Sequence, residues 1–355
     1  MKKYAAYIGT YTTEDHRGLH IMDLDEETGS FKEVKSLEID NPAHLCVSTS
    51  GKYLYCTTDL GVASFKIKKD GDLEEMNQRW VGGLRGAHIS TDRDDEFLFV
   101  AGYYDGRVTV MRLNPDGSVG DIAGAVFHKG MGRTVGRRNL EPHVNCVTIT
   151  PDQKFLCAVD NGLDCIKVYD LNRKTGAIEL ADNVHMPMDT APRHMLFSAD
   201  GKYAYVICEL TSEIFVYEYT SDGKAPNFEK IQTIASHDPD DHSASAGVEI
   251  MISPDKDQKF VYTSNAGINT TSIFRRDPKT GLLTYVGGGM VGGHYPKTIS
   301  IFPDQLHFAS LNYDSDQVNF FKFVNNHQQF LECARPIKVS NPNTCRIVDL
   351  SLIDD

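Results

Sequence analysis

The stretch APRHMLFSADGKYAYVICE, residues 191–209, places three ionisable groups at the ends of two short apolar runs. The runs flank Asp200-Gly201 and read as a β-hairpin. Arg193 and His194 stand before the first run and Glu209 just after the second. Counting outward from the turn sets Arg193 opposite Glu209 at about 5 Å between strands. A carboxylate can take up a proton and a guanidinium can hold a developing anion. The same pair also reads as a cross-strand ion pair that only stabilises the sheet. A second set lies in HKGMGRTVGRRNLEPH, residues 128–143, where Lys129, Arg133, Arg137 and Arg138 are interspersed with glycines and His143 ends the segment. Such a loop could close over an anionic ligand through guanidinium forks, or could be a flexible basic loop that balances nearby acids.

The elements that must position these groups are repeated. NPAHLCVSTSGKYLYCTTD begins at Asn41, GAHISTDRDDEFLFVAGYY at Gly86 and EPHVNCVTITPDQKFLCAVDN at Glu141. AGVEIMISPDKDQKFVYTSNA begins at Ala246 and YPKTISIFPDQLHFASLNY at Tyr295. Each unit continues with a third β-rich segment such as GRVTVMRL, CIKVYDL, EIFVYEY or QVNFFKF, and then a weaker fourth. Four short strands at a period of about 45–55 residues are the pattern of a propeller blade. Fragments of one more unit lie at the ends: YAAYIGTYT and GLHIMDLD lack a first strand, and NPNTCRIVDL lacks a second. The expectation is an all-β, seven-bladed β-propeller with four antiparallel strands per blade. One domain spans residues 1–355, and a C-terminal strand joins the N-terminal blade, built from 1–40 plus 341–355, to close the ring and remove open edges.

In such a blade the start of the first strand and the end of the second share one mouth of the channel. Equivalents of Arg193 are Ala43, Ala87, Asn145, Val248 and Lys297, and those of Glu209 are Asp59, Tyr103, Asn161, Ala266 and Tyr313. This chemically varied rim on a constant scaffold reads as a ligand site. The histidines at 44, 88 and 194 recur, which favours a structural task such as hydrogen-bonding a neighbouring loop. His143 has no such recurrence and is the better catalytic candidate. Arg138, Asn145, His194, Lys297, Asn265 and Tyr103 are the candidate substrate-binding residues.

Composition excludes other classes. The chain has 36 basic against 49 acidic residues, a formal charge of −13, which argues against nucleic acid or an anionic membrane as partner. Apolar runs fall short of the roughly 20 residues of a membrane helix, and Lys2-Lys3 precedes no secretory signal, so a cytoplasmic location is expected. The eight cysteines form no CxxC or zinc spacing and read as small buried hydrophobes in a reducing compartment. No GxSxG or HExxH is present, HDPDDHSASAG (237–247) matches no calcium loop, and no motif requires a metal.

Taken in order, YIGTYT, DNGLD (160–164), PRH…DGKYAYV…E (192–209), SPD…YTSN (253–265) and DSDQVNFF (314–321) resemble the seven-bladed propeller lactonase family, which holds propeller-type 6-phosphogluconolactonases and carboxy-muconate cyclases. The resemblance runs end to end. It implies a site made of the His of a PH motif, the Arg of PRH and the Glu that ends the next strand: His143, Arg193 and Glu209. It implies a further Arg where Ala266 stands. Asn145 replaces a His, Lys297 replaces an Arg, and Arg138-Asn139 stands for an Arg-Gln pair. The implied reaction is hydrolysis of a sugar-acid lactone without a cofactor, on a small anionic substrate. Glu209 or His143 would be general base, Arg193 would hold the oxyanion or an anionic group, and Arg138 and Lys297 would bind the distal phosphate or carboxylate. Alternatives are a cycloisomerase that forms a muconate-type lactone and a non-catalytic propeller that binds a sugar acid or a protein.

Overall fold

The computed structural model describes residues 3–12, 17–132 and 141–353. Its strands form seven four-stranded antiparallel sheets. The sheet that carries the 191–209 hairpin shows how a blade is built. Pro192–Phe197 lines the channel, Tyr203–Cys208 and Glu213–Ser221 follow outward, and Pro226–Ala235 is the outer edge. The turn between the first two strands needs a left-handed backbone, which Gly201 supplies at φ +73°.

Burial follows position in the blade. Second strands such as Phe97–Gly102, Phe155–Asp160, Tyr203–Cys208 and His307–Asn312 are buried along their whole length. Both of their faces pack on neighbours, so they read as continuous apolar runs. Outer strands such as Leu73–Arg79 are half exposed. Apolar clusters fill the gaps between successive blades: Cys157 and Val159 pack with Met195, Val206 and Cys208, and Tyr205 and Ile207 with Val261 and Phe274. Each such side chain contributes about 1.5–3 kcal/mol only when the next blade covers it, so the ring stands as one unit.

Ring closure follows the expectation. Pro342–Asp349 pairs with Tyr4–Thr10, with Tyr4 opposite Asp349 and Gly9 opposite Thr344. The strand also meets the second blade, where Thr344 Oγ1 and Asn343 Nδ2 both donate to the Ala43 carbonyl at 2.6 Å. The described residues contain no helix long and apolar enough to cross a membrane.

The hairpin register differs from the turn-counting expectation. Pro192 pairs with Cys208 and His194 with Ile207, so Arg193 is an extra residue in the first strand with no partner opposite it. Glu209 lies one residue beyond the second strand, and its N–H donates to the Ala191 carbonyl at 2.8 Å. Arg193 is thus a β-bulge, a device that turns a side chain out of the alternation of its strand.

Candidate active site

The bulge recurs at the same place in other blades. The extra residue is Asn145 between paired Val144 and Cys146, and Val248 between Gly247 and Glu249. It is Lys297 between Pro296 and Thr298, and Asn343 in the closing strand. All five bulged residues, Asn145, Arg193, Val248, Lys297 and Asn343, line one cavity of about 260 Å³ at the channel mouth. In these five blades the scaffold therefore presents one variable side chain to a common centre.

Within that cavity Arg193 Nη1 donates to Glu209 Oε2 at 2.8 Å, and both side chains are mostly buried. Burial opposes the charge on Arg193, but Glu209 and then Tyr295 outweigh it and raise its pKa. The Asn161 amide also donates to Glu209 Oε2, at 3.4 Å. Across the cavity Lys297 Nζ donates to the Tyr295 hydroxyl at 3.3 Å and lies over the Tyr295 ring, 4.6 Å from its centroid. Burial lowers the Lys297 pKa, and the nearby Arg193 charge lowers it further. Tyr295 is also buried, which would raise its pKa, yet Arg193 and Lys297 together bring it below the usual value of 10.0. Two cations, a carboxylate and an acidified phenol thus share one small space.

One residue further along the inner strands lies a layer of imidazoles. The backbone N–H of Ile89 donates to His44 Nδ1 at 3.2 Å, and that of Val147 to His88 Nδ1 at 3.4 Å. Each of these two rings accepts from an inner strand of the next blade, where the sequence suggested a loop partner. Ring centroids stand 4.2 Å apart for His44 and His88 and 5.3 Å for His88 and His194. Burial, reinforced by neighbouring cationic groups, drives the pKa of His44 and His88 well below 6.5, so both are neutral. His194 behaves oppositely. Its Nδ1 pairs with Glu249 Oε1, and although burial works against the charge, that carboxylate pushes the pKa up to about 10.

The other candidates are placed as follows. Tyr103, His194, Asn145 and Lys297 line the cavity with Arg193 and Glu209. His143 is not among the described lining residues. Its Nδ1 lies 2.8 Å from the Tyr103 carbonyl, and its ring stacks on Tyr103 at 4.5 Å, so Tyr103 stands between it and the cavity. Asn265 is also not at the cavity. It occupies the strand position of Cys208, not of Glu209, and side chains alternate. It is wholly buried, with its amide donating to the Ser236 carbonyl at 3.1 Å and accepting from Ser236 Oγ at 2.7 Å. Arg133, Arg137 and Arg138 lie outside the described residues, and Lys129 is exposed.

The sequence reading passed over Tyr11, Asn343 and Tyr295. Tyr11 and Asn343 belong to the split blade, where NPNT matches NPAH, APRH and YPKT. That match could have located Asn343. Tyr295 occupies the position of His143 and Ala191, two residues before the bulge.

The DNGLD segment proves to be a clamp. Asp160 Oδ1 accepts from the N–H groups of His143, Gly162 and Leu163 at 2.9, 3.0 and 3.0 Å, and its Oδ2 accepts from His128 Nδ1 at 2.6 Å. A Cβ on Gly162 would fall 2.0 Å from the Glu141 carbonyl, so only glycine fits there. Asp164 accepts from Ala191 N at 2.7 Å and Asp189 N at 3.0 Å, and so anchors the segment that leads into Arg193.

Comparison with known proteins agrees with this architecture. A family model described as "Lactonase, 7-bladed beta-propeller" matches residues 5–347. The chain is 28% identical over 328 residues to a 6-phosphogluconolactonase of Bacillus subtilis, covering 91% of this chain and 92% of that one. It is 27% identical to a 6-phosphogluconolactonase of Formosa agariphila, over 89% of this chain and 91% of the other. The solved periplasmic gluconolactonase PpgL of Pseudomonas aeruginosa superposes with a TM-score of 0.89 at 25% identity, over 98% of this chain and 99% of that chain. With both its length and its blade order accounted for, the chain belongs to the seven-bladed β-propeller lactonase family.

Proposed function

We propose that the cavity hydrolyses the lactone of a sugar acid carrying an anionic group, 6-phosphogluconolactone or a close analogue. The observation that carries this reading is the meeting of Arg193, Glu209, Lys297 and Tyr295 around one cavity in a lactonase-family chain. Glu209 takes a proton from the attacking water, a step worth typically about 10²–10⁴-fold in rate. Attack turns the ring carbonyl into an oxyanion, and Arg193 stabilises the charge from a fixed, partly desolvated position. As the ring C–O bond breaks, the Tyr295 hydroxyl supplies the proton that the leaving alkoxide needs. Lys297 then holds the phenolate until the proton taken up by Glu209 is passed back to it through water. The product leaves as the carboxylic acid and ionises in solvent, so both groups regain their starting states and no redox partner or cofactor enters the step.

His143 acts in this scheme through Tyr103, whose ring it stacks on and whose carbonyl it contacts. It is a positioning residue and Glu209 is the base. That the eight cysteines are held as thiols and not as disulfides supports a reducing compartment such as the cytoplasm.

The test is a pH-stat assay of 6-phosphogluconolactone and gluconolactone opening against the buffer rate. Arg193→Ala and Glu209→Gln should each reduce kcat/KM for the preferred lactone by about 10²-fold or more. Opening no faster than buffer, or unchanged rates in both variants, overturns the reading.

A further inference from the structure

His88, Cys146 and His194 come from three successive inner strands, His88–Thr91, Val144–Ile149 and Pro192–Phe197. One ligand atom from each lies within 4.8 Å of the other two, and His88 Nε2 to Cys146 Sγ is 3.7 Å. Around a tetrahedral zinc ion, with Zn–S about 2.3 Å and Zn–N about 2.0–2.1 Å, nitrogen and sulfur ligands stand about 3.5 Å apart. The His88–Cys146 pair already meets that geometry, and His194 must draw toward it by side-chain rotation.

A separate observation concerns the fourth blade partner, Glu249. Its Oε1 engages His194 Nδ1 and is itself fixed by the N–H of Ile250 at 3.2 Å. This leaves Nε2 as the ring nitrogen of His194 that can take an ion, which binds by displacing the Nε2 proton and the Cys146 thiol proton to solvent. A carboxylate on the far nitrogen is how ligating histidines are oriented and made more basic. His88 and His194 both line the cavity, so an ion can arrive from solvent and keep one position open toward it.

We propose that His88, Cys146 and His194 bind one ion of the Zn²⁺ class in the channel, with the fourth coordination position facing the cavity. A His₂Cys set with one open place suits a borderline-soft ion and not Mg²⁺ or Ca²⁺, which take oxygen ligands. Binding through Nε2 moves the ring proton of His88 to Nδ1 and gives up the 3.4 Å bond from Val147 N, the longer of the two backbone bonds to this histidine layer. Thiolate and imidazole coordination replaces it. The blade repeat explains why no zinc spacing is visible in the sequence. The ligands are 58 and 48 positions apart, one per blade, instead of paired in a short motif.

The experiment titrates chelator-treated full-length protein with Co²⁺ and reads metal, not lactone turnover, so its outcome is independent of the hydrolytic reading. One equivalent should give a thiolate-to-cobalt charge-transfer band in the near ultraviolet with tetrahedral d–d absorption, and Zn²⁺ should displace it. Cys146→Ser should abolish the charge-transfer band. Glu249→Gln should keep the band but weaken affinity about 10–100-fold, as loss of an orienting carboxylate does. Circular dichroism of each variant reports folding, and His88→Gln replaces Cys146→Ser if the latter unfolds. A band that survives these ligand substitutions, or octahedral cobalt without thiolate absorption, overturns the proposal.

Discussion

Tyr295 and His143 occupy the same place in their blades, two residues before the bulge, yet only Tyr295 reaches the cavity among the described residues. Its backbone is left-handed at φ 53°, as it is at Asn41, Ala191 and Asn341, the other residues that precede a proline at the start of an inner strand. The conformation recurs where a proline follows, whereas His143, followed by Val144, lacks it, so backbone and residue choice together decide what enters the site. If the phenol is the proton donor, Tyr295→Phe should lower kcat about 10²-fold with little change in KM. Lys297→Met, which removes the cation that holds the phenolate, should lower kcat on the phosphorylated lactone and on gluconolactone alike. Initial rates on both substrates check the two outcomes together. The meeting of Arg193 and Glu209 was legible because the pair occurs in one blade and not in the others. Tyr295 was not legible, since a tyrosine before a proline looks like turn residue until the channel brings Lys297 and Arg193 beside it.

At the scale of the element, the bulge does the aiming. An extra residue in one strand leaves no trace in composition, so turn counting put Arg193 directly across from Glu209, while in the structure it has no strand partner. The ion pair formed all the same, because the bulged residue points to the mouth where the second strand ends. The hairpins themselves were readable because each repeats two apolar runs about a turn. Asn265 lies away from the cavity because it stands one residue before the rim position of Ala266, and alternation turns it to the other face. The bulge is held from behind by Asp164, whose oxygens accept from Ala191 N and Asp189 N. Asp164→Ala leaves these buried donors without their acceptor, at about 1–3 kcal/mol. It should also lower kcat by displacing Arg193, while Asp164→Asn, which keeps one acceptor oxygen, should recover part of the loss. Urea midpoints measured beside kcat separate the two effects.

For the whole molecule, stability is expected to depend on pH through His128. Its pKa lies below the usual 6.5, with burial the largest influence and outweighing the attraction of Asp160. The folded state therefore refuses a proton that the unfolded chain accepts near pH 6.5, so this contribution is present above that pH and is lost as pH falls below it. His128→Gln should flatten the slope of urea-derived stability between pH 7 and pH 5 relative to wild type, and an unchanged slope would assign it to other groups. Closure of the ring is the second global property. Ending the chain after Asn341 removes buried Cys345 and Val348 and bares the hydrogen-bonding edge of Tyr4–Thr10. Such a protein should elute as aggregates in gel filtration. The split blade also imposes a schedule on synthesis. At about 5–20 residues per second, roughly 20–70 s separate emergence of the first strand from that of its partner. Through that interval the nascent chain carries an unmatched seam, so a helper that shields it should act on ribosome-bound chains and be dispensable once the last strand has emerged.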